Sequence, residues 1–334
     1  MIAPADSLSQ TPEQPEEEAP RKKRKPSGGF ECKLGLLLGL CGLAASRLGR
    51  LWIAFDVFSQ FTLQFAVITV AFLIGWAMPR AKLLSALVVL VLGIVAIGAW
   101  PHLASREARV LATAQPGERA LKVASFNTLW VNQNADAVKA EVERLDADII
   151  VLIEIGPPKR RILADLKGRY PHQFHCFTVD YCNTVVLSKL PFADTGSREP
   201  WAGRSYIRVR LGPEAGGLTV FGVHTIRFPH SQAQFRQVTE LARLIERTPG
   251  PRLVMGDFNA TPFSRILAVL QDSANLRRLT NLPSWPSHVS LPQIAIDHIF
   301  VSPGIRQLEA EQIGEPAGSD HYPVTVRIAV PAGP

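Results

Sequence analysis

Six short motifs from residue 125 onward carry side chains able to do chemistry. They are Asn127 in SFNTLW, Glu154 in VLIEI, His224 in GVHT, Asp257 and Asn259 in GDFNATP, Asp297 in IDHIFVS, and Asp320 with His321 in GSDHYPV. Carboxylate and amide oxygens suit hard divalent cations, and a carboxylate beside an imidazole suits proton transfer. Each motif alone has an ordinary reading. A Glu after four apolar residues can be a paired core carboxylate, Asp and Asn after Gly are common turn residues, and an Asp-His pair can sit on a surface. Their order, spacing and shared position at the ends of apolar runs carry the functional reading.

Those runs must be the elements that position them. LKVASFN (Leu121 to Asn127) alternates apolar with small or polar residues and reads as a strand. Ala137, Val138, Val142 and Leu145 have helical spacing, and DIIVLIEI (Asp148 to Ile155) suits a buried strand. NTVVLSKLPF, YIRVRL, LTVFGVHTI, RLVMGDFN, AIDHIFVS and YPVTVRIAV are further strands, with helices over Gln232 to Arg247 and after Pro262. The pattern is α/β without internal repeats, and polar residues where strands run into loops are where such scaffolds expose catalytic groups.

From about Leu121 to Ile328 the sequence resembles the endonuclease/exonuclease/phosphatase superfamily, which includes abasic-site endonucleases, pancreatic-type deoxyribonucleases, inositol-polyphosphate phosphatases and neutral sphingomyelinases. GDFNATP and GSDH are the most specific pieces, and SFN, the Glu-ending strand, Leu187 to Pro191, the strand-borne His and IDHI follow in the expected order. The resemblance implies a four-layer α/β sandwich, two mostly antiparallel sheets packed face to face with helices outside. It implies Glu154 and Asn127 as ligands of Mg2+ or Mn2+, with Asp320 a further carboxylate near the metal. Asp257 would deprotonate the attacking water, Asn259 and His224 would assist at the phosphate, and His321, fixed by Asp297, would act in acid/base chemistry or bind a phosphoryl oxygen.

Other residues take structural readings. His298 should point away from Asp297 on a strand. His172, His175 and His230 have no zinc spacing. Arg204, Arg208 and Arg210 read as the solvated face of a strand rather than a groove, Trp201 and Trp285 as packing residues rather than base-stacking platforms, and Arg236 as a structural bond within a helix.

The first third is different. Residues 1–30 are Pro-, Glu- and Ser-rich and include Arg21-Lys22-Lys23-Arg24-Lys25, a disordered tail whose cations suit the cytoplasmic flank of a membrane helix. Residues 31–100 form a membrane region of two or three transmembrane helices: Leu83 to Trp100 is uncharged and long enough, Phe61 to Met78 nearly so, and Leu34 to Ser46 short. A linker over 101–118 leads to the catalytic domain, 119–334. Three spans with the basic tail inside place that domain outside the cytoplasm, and two return it. Cys176 and Cys182 flank FTVDY at a spacing that can close a hairpin, and a disulfide there agrees with three spans and an oxidising compartment in a multi-pass protein of the inner or plasma membrane.

The expected protein is thus a membrane-anchored, metal-dependent phosphoesterase. Its substrate is nucleic acid or a phospholipid or inositol phosphate, membrane lipid surrounds its N-terminal helices, and no protein partner is expected. The charge from Leu121 onward is only roughly +3, less than a duplex-binding stripe usually carries. A scaffold that has kept the fold but lost turnover is the alternative, and the complete acidic and histidine set weighs against it. A transporter or channel has too few spans and no charge in the two best ones.

Overall fold

A computed structural model describes residues 28–77, 113–178, 182–198, 206–289 and 293–331. Two sheets pack face to face. The first has seven strands: β1 (Glu118–Asn127), β2 (Ile149–Ile153), β3 (His172–His175), β4 (Val185–Ser188), β11 (Arg306–Gln307), β12 (Gln312–Ile313) and β13 (Val324–Pro331), in the order β11-β13-β1-β2-β4-β3 with β12 also on β13. The second has six: β5 (Phe192–Arg198), β6 (Tyr206–Leu211), β7 (Thr219–His224), β8 (Arg252–Asp257), β9 (Arg277–Arg278) and β10 (Asp297–Val301), in the order β5-β6-β7-β8-β10-β9. Each sheet contains one parallel pair, β1 with β2 and β7 with β8, and is otherwise antiparallel.

The period-two pattern of the strands decides which side chains meet. Leu121 and Val123 of β1, Val151 and Ile153 of β2, Val220 of β7, Leu253 and Met255 of β8 and Ile299 and Val301 of β10 fill the core between the sheets. Their neighbours Ala124, Phe126, Ile150 and Leu152 face outward under helix α3 (Ala135–Leu145), where Val138, Val142 and Leu145 cover them. On the far side Phe221, Val254 and Phe300 lie under α4 (Ser231–Glu246) and α5 (Arg265–Ala274). Helix, sheet, sheet, helices make the four layers. α3 is capped by Asn134, whose side chain accepts from Ala137 N at 3.0 Å, and α5 by Ser264, which accepts from Ile266 N.

Before these layers stand two apolar helices, α1 (Gly28–Leu48) and α2 (Thr62–Ala77), which pack on each other. Gly39 and Gly42 let them approach, since a Cβ at either would overlap Thr69 or Phe65. Among the described residues no single helix is long and apolar enough to cross a membrane. The bent pair Ile53–Ser59 and Thr62–Trp76, with 58° between its halves, passes on length and composition together. The expected span Leu83 to Trp100 lies outside the described residues, so the transmembrane part of the expected architecture stays a proposal.

Arg208 pairs with Asp194 at 2.9 Å on the outer face of its sheet and Arg210 is exposed there, as the solvated-face reading expects of these two, while Arg204 and Trp201 lie outside the described residues. Arg236 is exposed, and no bond to it is seen among the described residues. Cys176 and Cys182 are joined by a disulfide.

Candidate active site

The parity that places Leu121, Val220, Leu253 and Ile299 between the sheets puts Asn127, His224, Asp257 and Asp297 on the same inner face, at one end of it. Register tightens this. His224 is the Cα partner of Asp257 across the parallel β7–β8 ladder, and Asp297 is its partner across the antiparallel β8–β10 ladder. Three functional side chains therefore stand in a row. From the other sheet Asn127 reaches over, its Nδ2 donating to Asp257 Oδ2 at 3.0 Å.

Backbone turns deliver the rest. β2 ends where Glu154 takes a positive φ of 55°, and Asn259 follows Asp257 at φ 46°. Asn tolerates this left-handed geometry more easily than Glu does, so the strain falls mainly at Glu154. Glu154 Oε2 accepts from Trp130 N at 2.8 Å, while its Oε1 lies 3.5 Å from His224 Nε2. Asn259 N donates to Asp257 Oδ1 at 2.8 Å, and its Nδ2 donates to Thr225 O at 3.2 Å. Ser319 donates to Asn127 O at 2.7 Å and accepts from His321 N, tying the GSDH turn to the end of β1.

His321 Nδ1 lies 2.7 Å from Asp297 Oδ2, and its Nε2 lies 3.9 Å from both Asp257 Oδ2 and Asp320 Oδ1. Burial disfavours its charge, but Asp297, Asp257 and Asp320 together outweigh burial and hold the imidazole protonated well above its ordinary range. Asp257 is raised as well, which for a carboxylate favours the neutral form. Burial and the nearby Asp297 raise it, against the opposing pull of His321, Asn259 N and Asn127. An acid and a base with displaced affinities thus face each other in one cleft.

That cleft, of about 420 Å³, is lined by Leu129, Glu154, His224, Asp257, Asn259, Asp320 and His321 among others. Asn127 and Asp297 sit behind it, bonded to Asp257 and His321. All eight residues singled out from the sequence therefore come together. The sequence reading gave Trp285 a packing role and missed its polar one: its indole N–H donates to Asp320 Oδ2 at 3.0 Å, and the residue lines the cleft. No pattern marked it, because the loop carrying it has no periodicity. It also missed Lys159, whose buried ammonium donates to the carbonyls of Leu129 (2.7 Å), Asn132 (3.1 Å) and Trp130 (3.4 Å) and so braces the loop that supports Glu154. Burial lowers Lys159 to about 8. His298 is as expected: it faces the helices, its Nε2 donates to Ala260 O at 3.0 Å, and burial lowers it to about 3, keeping it neutral.

The donor set can be tested for a metal. Asp257, Asp297 and His321 bring one ligand atom each within 4.8 Å of one another. With Nδ1 of His321 bonded to Asp297, this group also reads as an acid/base dyad beside a carboxylate. Glu154 and Asp320 fit a hard cation more closely. Asp320 Oδ1 is buried with no hydrogen-bond partner among the described residues, and both side chains line the cleft with oxygen donors near Asn127.

The family model described as "Endonuclease/Exonuclease/phosphatase family" matches residues 124–321, from the middle of β1 to His321. The chain belongs to that family. As a member of the endonuclease/exonuclease/phosphatase family it is similar to UPF0294 protein VV2535 of Vibrio vulnificus (strain YJ016), 29% identical over 117 residues; the match covers 34% of this chain and 40% of that protein. It is also similar to the crystal structure of an endonuclease/exonuclease/phosphatase from Beutenbergia cavernae, with TM-score 0.52 and 19% identity over 64% of this chain and 72% of that one. A family member from Bacteroides thetaiotaomicron gives TM-score 0.50 and 16% identity over 64% and 98%. At these identities the solved structures support the family fold alone.

Proposed function

We propose that this chain is a membrane-anchored hydrolase of phosphodiester, or phosphomonoester, bonds that works with Mg2+ or Mn2+. The observation that carries this reading is the pairing of a raised Asp257 with the protonated His321–Asp297 dyad, across a cleft whose other wall is Glu154 and Asp320. Glu154, Asp320 and Asn127 would hold the cation, which when bound offsets the negative charge that makes phosphodiesters repel nucleophiles.

The chain's own groups do the remaining work. Asp257 takes a proton from the attacking water as its oxygen bonds to phosphorus and the ester P–O bond breaks. His321 donates from Nε2 toward the phosphoryl or leaving oxygen, and Asp297 keeps Nδ1–H in place. Asn259 and His224 supply further donors to the phosphate. The remaining N–H groups of such side chains are worth most in a cleft that excludes water. The substrate is a nucleic acid or a phospholipid or inositol phosphate, since these residues read the phosphoester and not what it is attached to.

Anchoring is supported by the exposed apolar side chains Leu34, Leu37, Leu38, Val67 and Phe72 on α1 and α2. An extracytoplasmic catalytic domain is supported by the Cys176–Cys182 disulfide. The test is hydrolysis by the full chain in detergent micelles, against DNA, RNA, phospholipid and inositol phosphate, with Mg2+, Mn2+ or EDTA. Cleavage of one class that EDTA abolishes and that Asp257→Ala and His321→Ala both lack is the expected result. Turnover persisting in both variants would overturn the assignment.

A further inference from the structure

The turn joining the two apolar helices does not hang free of the catalytic layers. Asp56, Ser59 and Gln60 are each 1% exposed, buried against the loop that runs from Asp257 to the start of α5. Four donors converge on the Asp56 carboxylate. Arg265 N (2.7 Å) and Ser59 Oγ (3.0 Å) bond to Oδ1, and Ser264 Oγ (2.5 Å) and Gln60 Nε2 (3.3 Å) bond to Oδ2. Gln60 spans the gap, because its Oε1 accepts from Thr261 N at 2.7 Å. Thr261 Oγ1 adds a bond to Ser59 O at 3.4 Å. These partners are more than 200 residues apart in sequence.

The loop they hold is the one that matters for chemistry. Between Asp257 and Arg265 it carries Asn259 in the left-handed region, where a non-glycine residue persists only when its surroundings over-determine it. The backbone N–H of Thr261, two residues beyond Asn259, ends on Gln60. Ser264, the N-cap of α5, donates its hydroxyl to Asp56 while accepting from Ile266 N. A carboxylate at the first turn of a ten-residue helix also gains from the helix dipole. A second contact reaches the other wall of the cleft: Phe61 meets Phe228, which lines the site, edge-on at 5.8 Å between ring centres. Ile53 packs on the core beneath α4 and α5.

We propose that Asp56 and Gln60 are positioning residues for the reaction, so that the turn between the apolar helices is part of the catalytic unit. They hold residues 258–265 by hydrogen bonds and thereby set Asn259 against Asp257. The anchor region then does more than locate the enzyme: the geometry of the site depends on its being docked. This inference rests on the phosphoesterase reading for its kinetic arm alone.

The test compares the full chain in detergent with the double variant Asp56→Leu/Gln60→Met and with Asp56→Asn. The last keeps a carbonyl acceptor for Arg265 N and an amide that can donate to Ser264. Two quantities are read at a temperature where circular dichroism shows every protein folded. Amide exchange should rise about tenfold over 258–265 in the double variant and stay unchanged in β1 and β2. On the substrate that the wild type cleaves, kcat should fall about 10- to 100-fold, far more than KM changes, because a misplaced catalytic group affects the reacting geometry more than binding. Asp56→Asn should recover most of both. Unchanged exchange, raised exchange with normal kcat, or Asp56→Asn as defective as the double variant would each overturn the proposal. The exchange arm needs no substrate, so a wild type that hydrolyses nothing would sink the phosphoesterase reading, and the clasp would then be decided by exchange.

Discussion

Asp257 and Asp297 are register partners on β8 and β10, yet only Asp297 has an imidazole at hydrogen-bond distance, His321 Nδ1 at 2.7 Å. Two equivalent backbone positions thus hold carboxylates with different duties. Asp297 is one half of an ion pair, while Asp257 is left beside it, buried and raised by burial and by Asp297's charge. Like charges this close cannot both ionise cheaply, and the asymmetry decides which one is available to take a proton.

Asp257→Asn should therefore lose about 10²- to 10⁴-fold in kcat, the range for removing a general base, while the fold is kept. The stability effect has a definite sign. The folded state holds this proton more tightly than the unfolded chain does, so ionising Asp257 above the ordinary carboxylate range costs stability. In EDTA the Tm of Asp257→Asn should match the wild type near pH 4 and exceed it increasingly as pH rises. A Tm below the wild type at pH 8 would refute this.

For His321 the sign is the same and the pH window lies higher. A histidine whose folded affinity for protons is raised contributes stability that is fully present below about pH 6.5 and lost as pH climbs through the folded value. Asp297→Asn removes the largest favourable partner and leaves burial, which pushes the imidazole down. The His321 titration followed by NMR should move to lower pH, and the alkaline limb of kcat/KM should move with it.

Trp285 is the residue whose role the loop sequence hid. Its indole N–H orients Asp320 from behind, and partners of this kind typically change metal affinity by 10- to 100-fold when lost. Trp285→Phe keeps the ring and removes the donor. The Mg2+ concentration giving half-maximal activity should rise by about that factor, with little change in maximal rate at saturation. Unchanged metal dependence would place Asp320 away from the cation.

Gly256, inside GDFNATP, leaves no room for a side chain, because a Cβ there would overlap the Val223 carbonyl of the neighbouring strand. Gly256→Ala should destabilise the protein by about 3 kcal/mol or more in denaturant titrations, since backbone on the other side cannot step aside. Gly168→Ala, where a Cβ meets nothing within 4 Å, is the control and should be near neutral.

Much of the fold was legible because alternation and helical spacing are local properties. β1, β2, β6, β7, β8, β10 and β13 and the helices over 135–145, 231–246 and 265–274 fall where periodicity expects them, within a few residues. Trp285, Lys159 and the Asp56–Gln60 clasp were not legible. Each acts through a hydrogen bond to a residue distant in sequence, in a turn or loop where no repeat of hydrophobicity marks it.

The amino-acid sequence by itself determined the parity of each strand, and with it that Asn127, His224, Asp257 and Asp297 belong to the inner face while His298 belongs to the outer one, because successive side chains on a strand must alternate. Only the tertiary structure decided that Asp257 stays outside hydrogen-bond reach of His321, whose bond to Asp297 the family resemblance had implied, and that the turn between two apolar helices closes on the loop bearing Asn259. Pairings across sheets and between distant segments depend on register and packing, which no local stretch of sequence encodes.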